Sequence, residues 1–335
     1  MIIDSHAHIV PEAFVESVRA GRFGAALSIE QGPQWELLVI KSSAEGDARE
    51  FKNALPKETF DVGMRLKHMA AMGVDRQILS IVPPAMGYGL DAALNGEVAA
   101  AFNDRVADVV AENPDRFSCV ATVPLQNPEA AVLELERAGK KGHIGVQIGS
   151  NVAGKNLDDP ALDIFWKKVV SLDLPIFIHP INQLGEADRL KSYQLGNLIG
   201  VPLEGGIAAA SLIFGGVLDR YPDLRIVLSH MGGITPWVRG RWEHGYFERA
   251  GTNVNGVQVP GVYLGRFYYD TIVHDAECFQ FAARTLGTEM ILYGTDYPFD
   301  MGNLGPARDI PGLSSLPEAD REKILAENAK KVFGI

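Results

Sequence analysis

Eight strand candidates, with helical segments between most of them, constrain this chain more than any other feature. They fall at 2–8, 76–83, 117–124, 143–149, 175–180, 225–231, 267–273 and 290–297. The continuous apolar runs within 175–180, 225–231 and 290–297 suit strands covered on both faces, the condition of a parallel sheet. Residues 91–112 carry Leu94, Val98, Ala101, Phe102 and Val106 at helical spacing and stop at Asn113-Pro114. Residues 128–140 open on Pro128-Glu129, and 159–171, 205–219 and 318–331 repeat the amphipathic pattern. Strand and helix alternating eight times predict an α/β fold, a (β/α)8 TIM barrel, in one domain over 1–335. Two additions stand out. Residues 12–56 are an insertion after the first strand, with a short strand of its own expected at Trp35–Ile40. Residues 182–202 make a long loop after the fifth strand. Long ordered loops at a barrel mouth cap a site or build a subunit interface.

Several of these runs end in residues able to hold a metal or move a proton. The first contains His6-Ala7-His8, and strand alternation sends both imidazoles to one side. Alone, that pair is equally well explained by two histidines on a wet edge strand. The fifth run ends at His179-Pro180, the sixth at Ser229-His230-Met231-Gly232-Gly233, and the eighth at Gly294-Thr295-Asp296-Tyr297-Pro298. Polar groups at the ends of strands distant in sequence are how a β/α barrel builds a site at its C-terminal mouth. Three imidazoles and one carboxylate suit a single divalent ion, zinc in the first place and manganese as the alternative.

Charge and cysteine content narrow the partners. With 31 Lys and Arg against 42 Asp and Glu, the net charge is −11 and no basic cluster stands out, which disfavours nucleic acid and anionic membranes. Cys119 and Cys278 are the only cysteines, so the core needs no disulfide. Both read as small buried apolar residues. The chain enters a strand at once, without a basic leader or a run of about 20 apolar residues. A cytoplasmic enzyme is expected.

The motifs named above, together with Gly87-Tyr88, Val123-Pro124-Leu125-Gln126, Gly145-Val146-Gln147-Ile148-Gly149 and the tail Glu327–Phe333, resemble the amidohydrolase superfamily. Within it they look like the mononuclear-metal decarboxylase branch. The resemblance implies that His6, His8, His179 and Asp296 hold the metal, that Asp296 also serves catalysis, and that His230 is the general acid/base. It further implies substrate contacts from Arg49, Arg241, Arg249 and the aromatic Tyr193. Arg249 would reach into a neighbouring subunit, making the active form a homodimer or a larger homo-oligomer. Gln147 stands where binuclear relatives carry a carbamylated lysine, so one metal is expected.

The expected reaction is non-oxidative decarboxylation of an unsaturated or aromatic acid, muconate-like or hydroxybenzoate-like. The metal would activate a water or hold a substrate oxygen while His230 transfers the proton. The alternative is a hydrolase or hydratase acting on a lactone, amide or alkene at the same site. The other histidines, His68, His143, His244 and His274, read as packing or surface groups, with His274 nearest to an exception.

Overall fold

In the computed structural model, residues 1–42, 50–181 and 188–335 are described. Eight parallel strands carry the fold: β1 (Ile3–Ile9), β5 (Arg76–Ile81), β6 (Phe117–Cys119), β7 (Val146–Gly149), β8 (Ile176–His179), β9 (Ile226–Leu228), β10 (Phe267–Asp270) and β11 (Ile291–Leu292). They hydrogen-bond in the orders β1-β5-β6 and β11-β10-β9-β8-β7, and isolated parallel bridges Ala121↔Val146 and Ala7↔Tyr297 link the two sheets at both ends. The neighbour order is therefore cyclic.

Between the strands, helices begin where the sequence offers a cap. Asp61 accepts a hydrogen bond from the Met64 amide, and Asp91 does so from Ala93 and Leu94. Asn127 accepts from Ala130, and Asp275 from Cys278. Each satisfies amides that the first helical turn leaves without partners. The helix Val62–Met72 ends on Gly73, whose φ of 72° needs a residue without a β-carbon.

One end of the ring is sealed. Ile3, Ile78, Phe177, Val227 and Leu292, from five different strands, and Val120, just after β6, pack with Ala329, Val332 and Phe333 of the C-terminal helix Asn328–Phe333. Asn328 fixes that helix by donating to the Thr288 and Ile291 carbonyls. A plugged N-terminal end leaves the opposite end for chemistry.

The structure refines the sequence expectations. Apart from β1, the strands are shorter than the segments expected from the sequence, because several of these continue as loops that still face the core. The insertion holds more than one short strand: the helix Glu12–Arg19 is followed by an antiparallel sheet of β2 (Leu27–Gln31), β3 (Glu36–Lys41) and β4 (Glu50–Ala54). β4 has three polar residues in five, too weak an apolar pattern to announce a strand. The long loop after β8 turns helical at Gly196–Gly200 and runs into Val201–Phe214. Gly196–Phe214 is 19 residues long with mean hydropathy 1.5, enough by length and composition to cross a bilayer, which the sequence reading did not anticipate. Half of it is buried in the fold. A β-carbon on Gly206 would fall 2.3 Å from the Ile234 side chain, so the helix is built for close packing.

His143, expected to be a packing residue, is 3% exposed just before β7. Its Nδ1 pairs with the Ala138 carbonyl, and its Nε2 has no partner among the described residues. Burial pushes this imidazole down to about 4 from an ordinary 6.5. The unfolded chain therefore binds the extra proton between those values, and the stability linked to neutral His143 is complete above pH 6.5 and lost as pH falls toward 4. A His143→Gln variant should lack this pH dependence. Urea unfolding at pH 7 and pH 4.5 should show the wild type losing on the order of 2 kcal/mol more than the variant.

Candidate metal centre

β1 departs from regular pairing between Asp4 and Ala7, where its register with β5 shifts. Such an irregularity re-aims side chains, and His6 and His8 lie here with their Nε2 atoms 3.0 Å apart. Asp296, just after β11, places Oδ1 3.3 Å from His6 Nε2 and 3.1 Å from His8 Nε2. His179 ends β8, its ring 5.3 Å from that of His6 and 5.1 Å from that of His8. His230 follows β9 with Nε2 3.5 Å from Asp296 Oδ2. Donor atoms of His6, His179, His230 and Asp296 all fall within 4.8 Å of one another. Five groups from four strand ends thus meet at one point.

Their outer hydrogen bonds fix what they present inward. His6 Nδ1 donates to Asp270 Oδ2 at 2.7 Å, His8 Nδ1 to the Ile81 carbonyl at 2.9 Å, and His179 Nδ1 to the Pro180 carbonyl at 2.9 Å. Each imidazole is therefore oriented to offer its Nε2 lone pair to a cation at the centre. His179 Nε2 and Asp296 Oδ1 are buried with no hydrogen-bond partner among the described residues. Burial, helped by His230, His8 and His6, holds the His179 imidazole well below its ordinary value, so it is neutral. Burial alone would raise the Asp296 carboxyl, but His6, His230 and His8 outweigh it and keep the group ionised. Converging lone pairs and a buried carboxylate oxygen repel one another unless a cation lies between them. The donor set fits a divalent ion, with nitrogen and oxygen ligands and outer partners of the kind metal-bound histidines use.

Asp270 was missed by the sequence reading, although it too ends a strand. It accepts from His6 Nδ1 and also from the backbone amides of His230 and Met231, each at 2.9 Å. Those two residues sit at φ of 52° and 53°, a left-handed conformation that costs a side-chain-bearing residue about 1 kcal/mol or more. One carboxylate thus orients a candidate ligand and holds the strained turn that displays His230. Gly233 completes the turn, since a β-carbon there would fall 2.1 Å from the Pro202 carbonyl oxygen. Asp270→Asn should weaken metal affinity about 10- to 100-fold, measured by competition with a chromogenic chelator. Unchanged affinity would remove Asp270 from this role.

Two further buried polar groups brace β1 and were not foreseen. Asp4 accepts from Gln77 Nε2 and from the Thr295 amide and hydroxyl. Arg65, fully buried, donates to the His8 carbonyl and to Gln77 Oε1 and lies 4.5 Å over the Tyr297 ring.

Above the cluster lies a cavity of about 610 Å³. Its walls are largely apolar, with Ile40 and Phe51 from the inserted sheet, Leu90, Ile181, Trp237 and Phe299 prominent among them, while His179, His230 and Asp296 also line it. Among the described residues no lysine or arginine does so. Arg241 and Arg249 are exposed on and just after the helix Thr235–Glu248, outside this chain's own cavity, because that part of the helix faces solvent. Tyr193 is 87% exposed and does not line the cavity either, so it packs on nothing there. Arg49 lies outside the described residues. His274 does line the cavity, and so does Cys278, which is not the buried core residue expected.

A family model described as Amidohydrolase matches residues 3–335. The 2-amino-3-carboxymuconate-6-semialdehyde decarboxylase of Dictyostelium discoideum is 35% identical over 336 residues, spanning 99% of this chain and 91% of that protein. A gamma-resorcylate decarboxylase of Rhizobium sp. is 33% identical, with 80% of this chain and 86% of that protein covered. Among solved structures, a dihydroxybenzoic acid decarboxylase from Polaromonas sp., with bound manganese and the inhibitor 2-nitroresorcinol, superposes with a TM-score of 0.80. It is 26% identical and covers 99% of this chain and 96% of its own.

Proposed function

Because the chain belongs to the amidohydrolase family, we propose that it is a metal-dependent, non-oxidative decarboxylase of an unsaturated or aromatic carboxylic acid. The cyclic order of eight parallel strands is read as a (β/α)8 barrel in one domain, with the inserted sheet as a cap. The observation that carries the reading is the convergence of three imidazole nitrogens and the Asp296 carboxylate beneath an apolar cavity. His6, His8, His179 and Asp296 would hold one divalent ion, zinc or manganese. Such an ion supplies Lewis acidity and activates the oxygen atoms it holds.

The chain's own groups supply the rest. His230 is the proton carrier: its Nε2 lies beside Asp296, and unlike His6, His8 and His179 its ring makes, among the described residues, no hydrogen bond to a backbone carbonyl or carboxylate through Nδ1, which faces Ser229 Oγ at 3.3 Å. It would deliver a proton to the substrate carbon as the bond to the carboxylate breaks and carbon dioxide leaves. Walls built from Leu90, Ile181, Trp237 and Phe299 solvate a carboxylate poorly and carbon dioxide well, which favours loss of the charged group. Arg49 in this chain, and Arg249 from a second copy in a homodimer, would anchor substrate carboxylates, and Arg241 and Tyr193 would lie near that junction. The test is to load the protein with zinc or manganese and offer 2,6-dihydroxybenzoate and 2-amino-3-carboxymuconate-6-semialdehyde. Carbon dioxide should appear in equal amount to acid consumed. Consumption without carbon dioxide would instead assign hydration or hydrolysis.

A further inference from the structure

Away from the metal cluster the polar side chains of Ser42, Asn53, Asn197, His274 and Asp300 also line the cavity, but Asn197, His274 and Asp300 are exposed. Ser42 Oγ donates to the Gly89 carbonyl, and Asn53 Nδ2 to that of Ala54. Tyr88 differs. It lines the cavity and is only 4% exposed, on the turn after the helical segment Pro83–Met86. Its hydroxyl accepts a hydrogen bond from the Gly149 amide at 3.3 Å, and among the described residues nothing accepts the hydroxyl's own proton. Gly149 is the last residue of β7 and pairs in register with His179 of β8. The phenol is thereby held over the strand end next to a candidate metal ligand.

A buried hydroxyl with an unspent proton leaves a strong donor without an acceptor, an unfavourable state unless something arrives to take it. Burial also pushes the phenol above its ordinary range, so it keeps its proton at every working pH. With its acceptor side occupied by Gly149 N–H, the group can act toward the cavity only as a donor. In an apolar pocket, a few placed polar groups of this kind fix the orientation of a ligand.

We propose that Tyr88 is a substrate-recognition residue whose hydroxyl donates a hydrogen bond to an anionic oxygen of the bound acid. This rests on the decarboxylase reading and adds a contact that sets which face of the substrate meets His230. A hydrogen bond from a neutral donor to a charged acceptor contributes about 1.5–3 kcal/mol, so its loss should weaken binding of an anion roughly 10- to 100-fold.

The test uses the full-length, metal-loaded protein and its Tyr88→Phe variant, with 2-nitroresorcinol as a probe that is not turned over. Metal content and melting temperature are measured beside calorimetric Kd. The expected result is a Kd raised at least about tenfold and kcat/KM lowered in parallel, with metal content unchanged. An unchanged Kd overturns the proposal, including the case in which Tyr88→Phe lowers only the melting temperature through loss of the Gly149 contact. Should Tyr88→Phe fail to fold, 3-fluorotyrosine at position 88, a more acidic donor, must tighten the probe; an equal Kd overturns the proposal. A wild-type protein that releases carbon dioxide while Tyr88→Phe equals it defeats this inference alone. A wild type that neither binds the probe nor releases carbon dioxide defeats the decarboxylase reading as well.

Discussion

Replacing His179 by Asn, or Asp296 by Asn, is expected to abolish metal retention and reduce decarboxylation to background. Elemental analysis should fall from about one equivalent per chain to less than about a tenth. His179 gives the cleaner experiment, because its one side-chain hydrogen bond runs to the neighbouring Pro180 carbonyl and holds no other element in place. The variant should therefore fold. Its signature is in heat: metal raises the melting temperature of the wild type by binding only the folded form, and that rise should vanish in His179→Asn. A variant that kept its metal and its thermal response would show that the ion, if bound at all, is bound elsewhere.

His230→Ala is expected to behave in the opposite way, keeping the metal and losing turnover. Loss of a general acid/base lowers kcat by about a hundredfold or more. Geometry leaves two roles open to this residue, since its donor atom lies within 4.8 Å of the other cluster members. The outer contacts separate them. His6, His8 and His179 each anchor Nδ1 on a carboxylate or carbonyl, whereas His230 is set by its backbone, through the two amides that Asp270 accepts. A ring that must pick up and release a proton benefits from such freedom, and a ligand does not. Near-normal metal content with kcat reduced at least a hundredfold supports the proton-carrier role. Metal loss matching that of His179→Asn would make His230 a ligand instead.

What the sequence disclosed follows from how local each signal is. His179, His230 and Asp296 were legible because each follows an apolar run, where a polar residue at the end of a buried strand has few other uses, and His6 and His8 because strand alternation turns them to one side. Asp270 closes Phe267-Tyr268-Tyr269 in the same way, yet nothing in that tripeptide shows that its carboxylate reaches back to His6, 264 residues earlier. Asp4 and Arg65 were hidden for a related reason, since buried ion and hydrogen-bond partners are tertiary facts. β4 escaped because Glu-Phe-Lys-Asn-Ala pairs through its backbone and shows little apolar pattern. The arginines and Tyr193 were carried by resemblance rather than by pattern. Here the structure brings none of Arg241, Arg249 and Tyr193 into the chain's own cavity. Cys278 looked like core from its helical setting, but its helix meets the cavity along one edge.

The most direct test strips the purified protein with a strong chelator and follows metal content and carbon dioxide release in the same samples. The account predicts that both disappear together, and that about one equivalent of zinc or manganese per chain restores both. Undiminished carbon dioxide release from protein shown to be free of metal would contradict it.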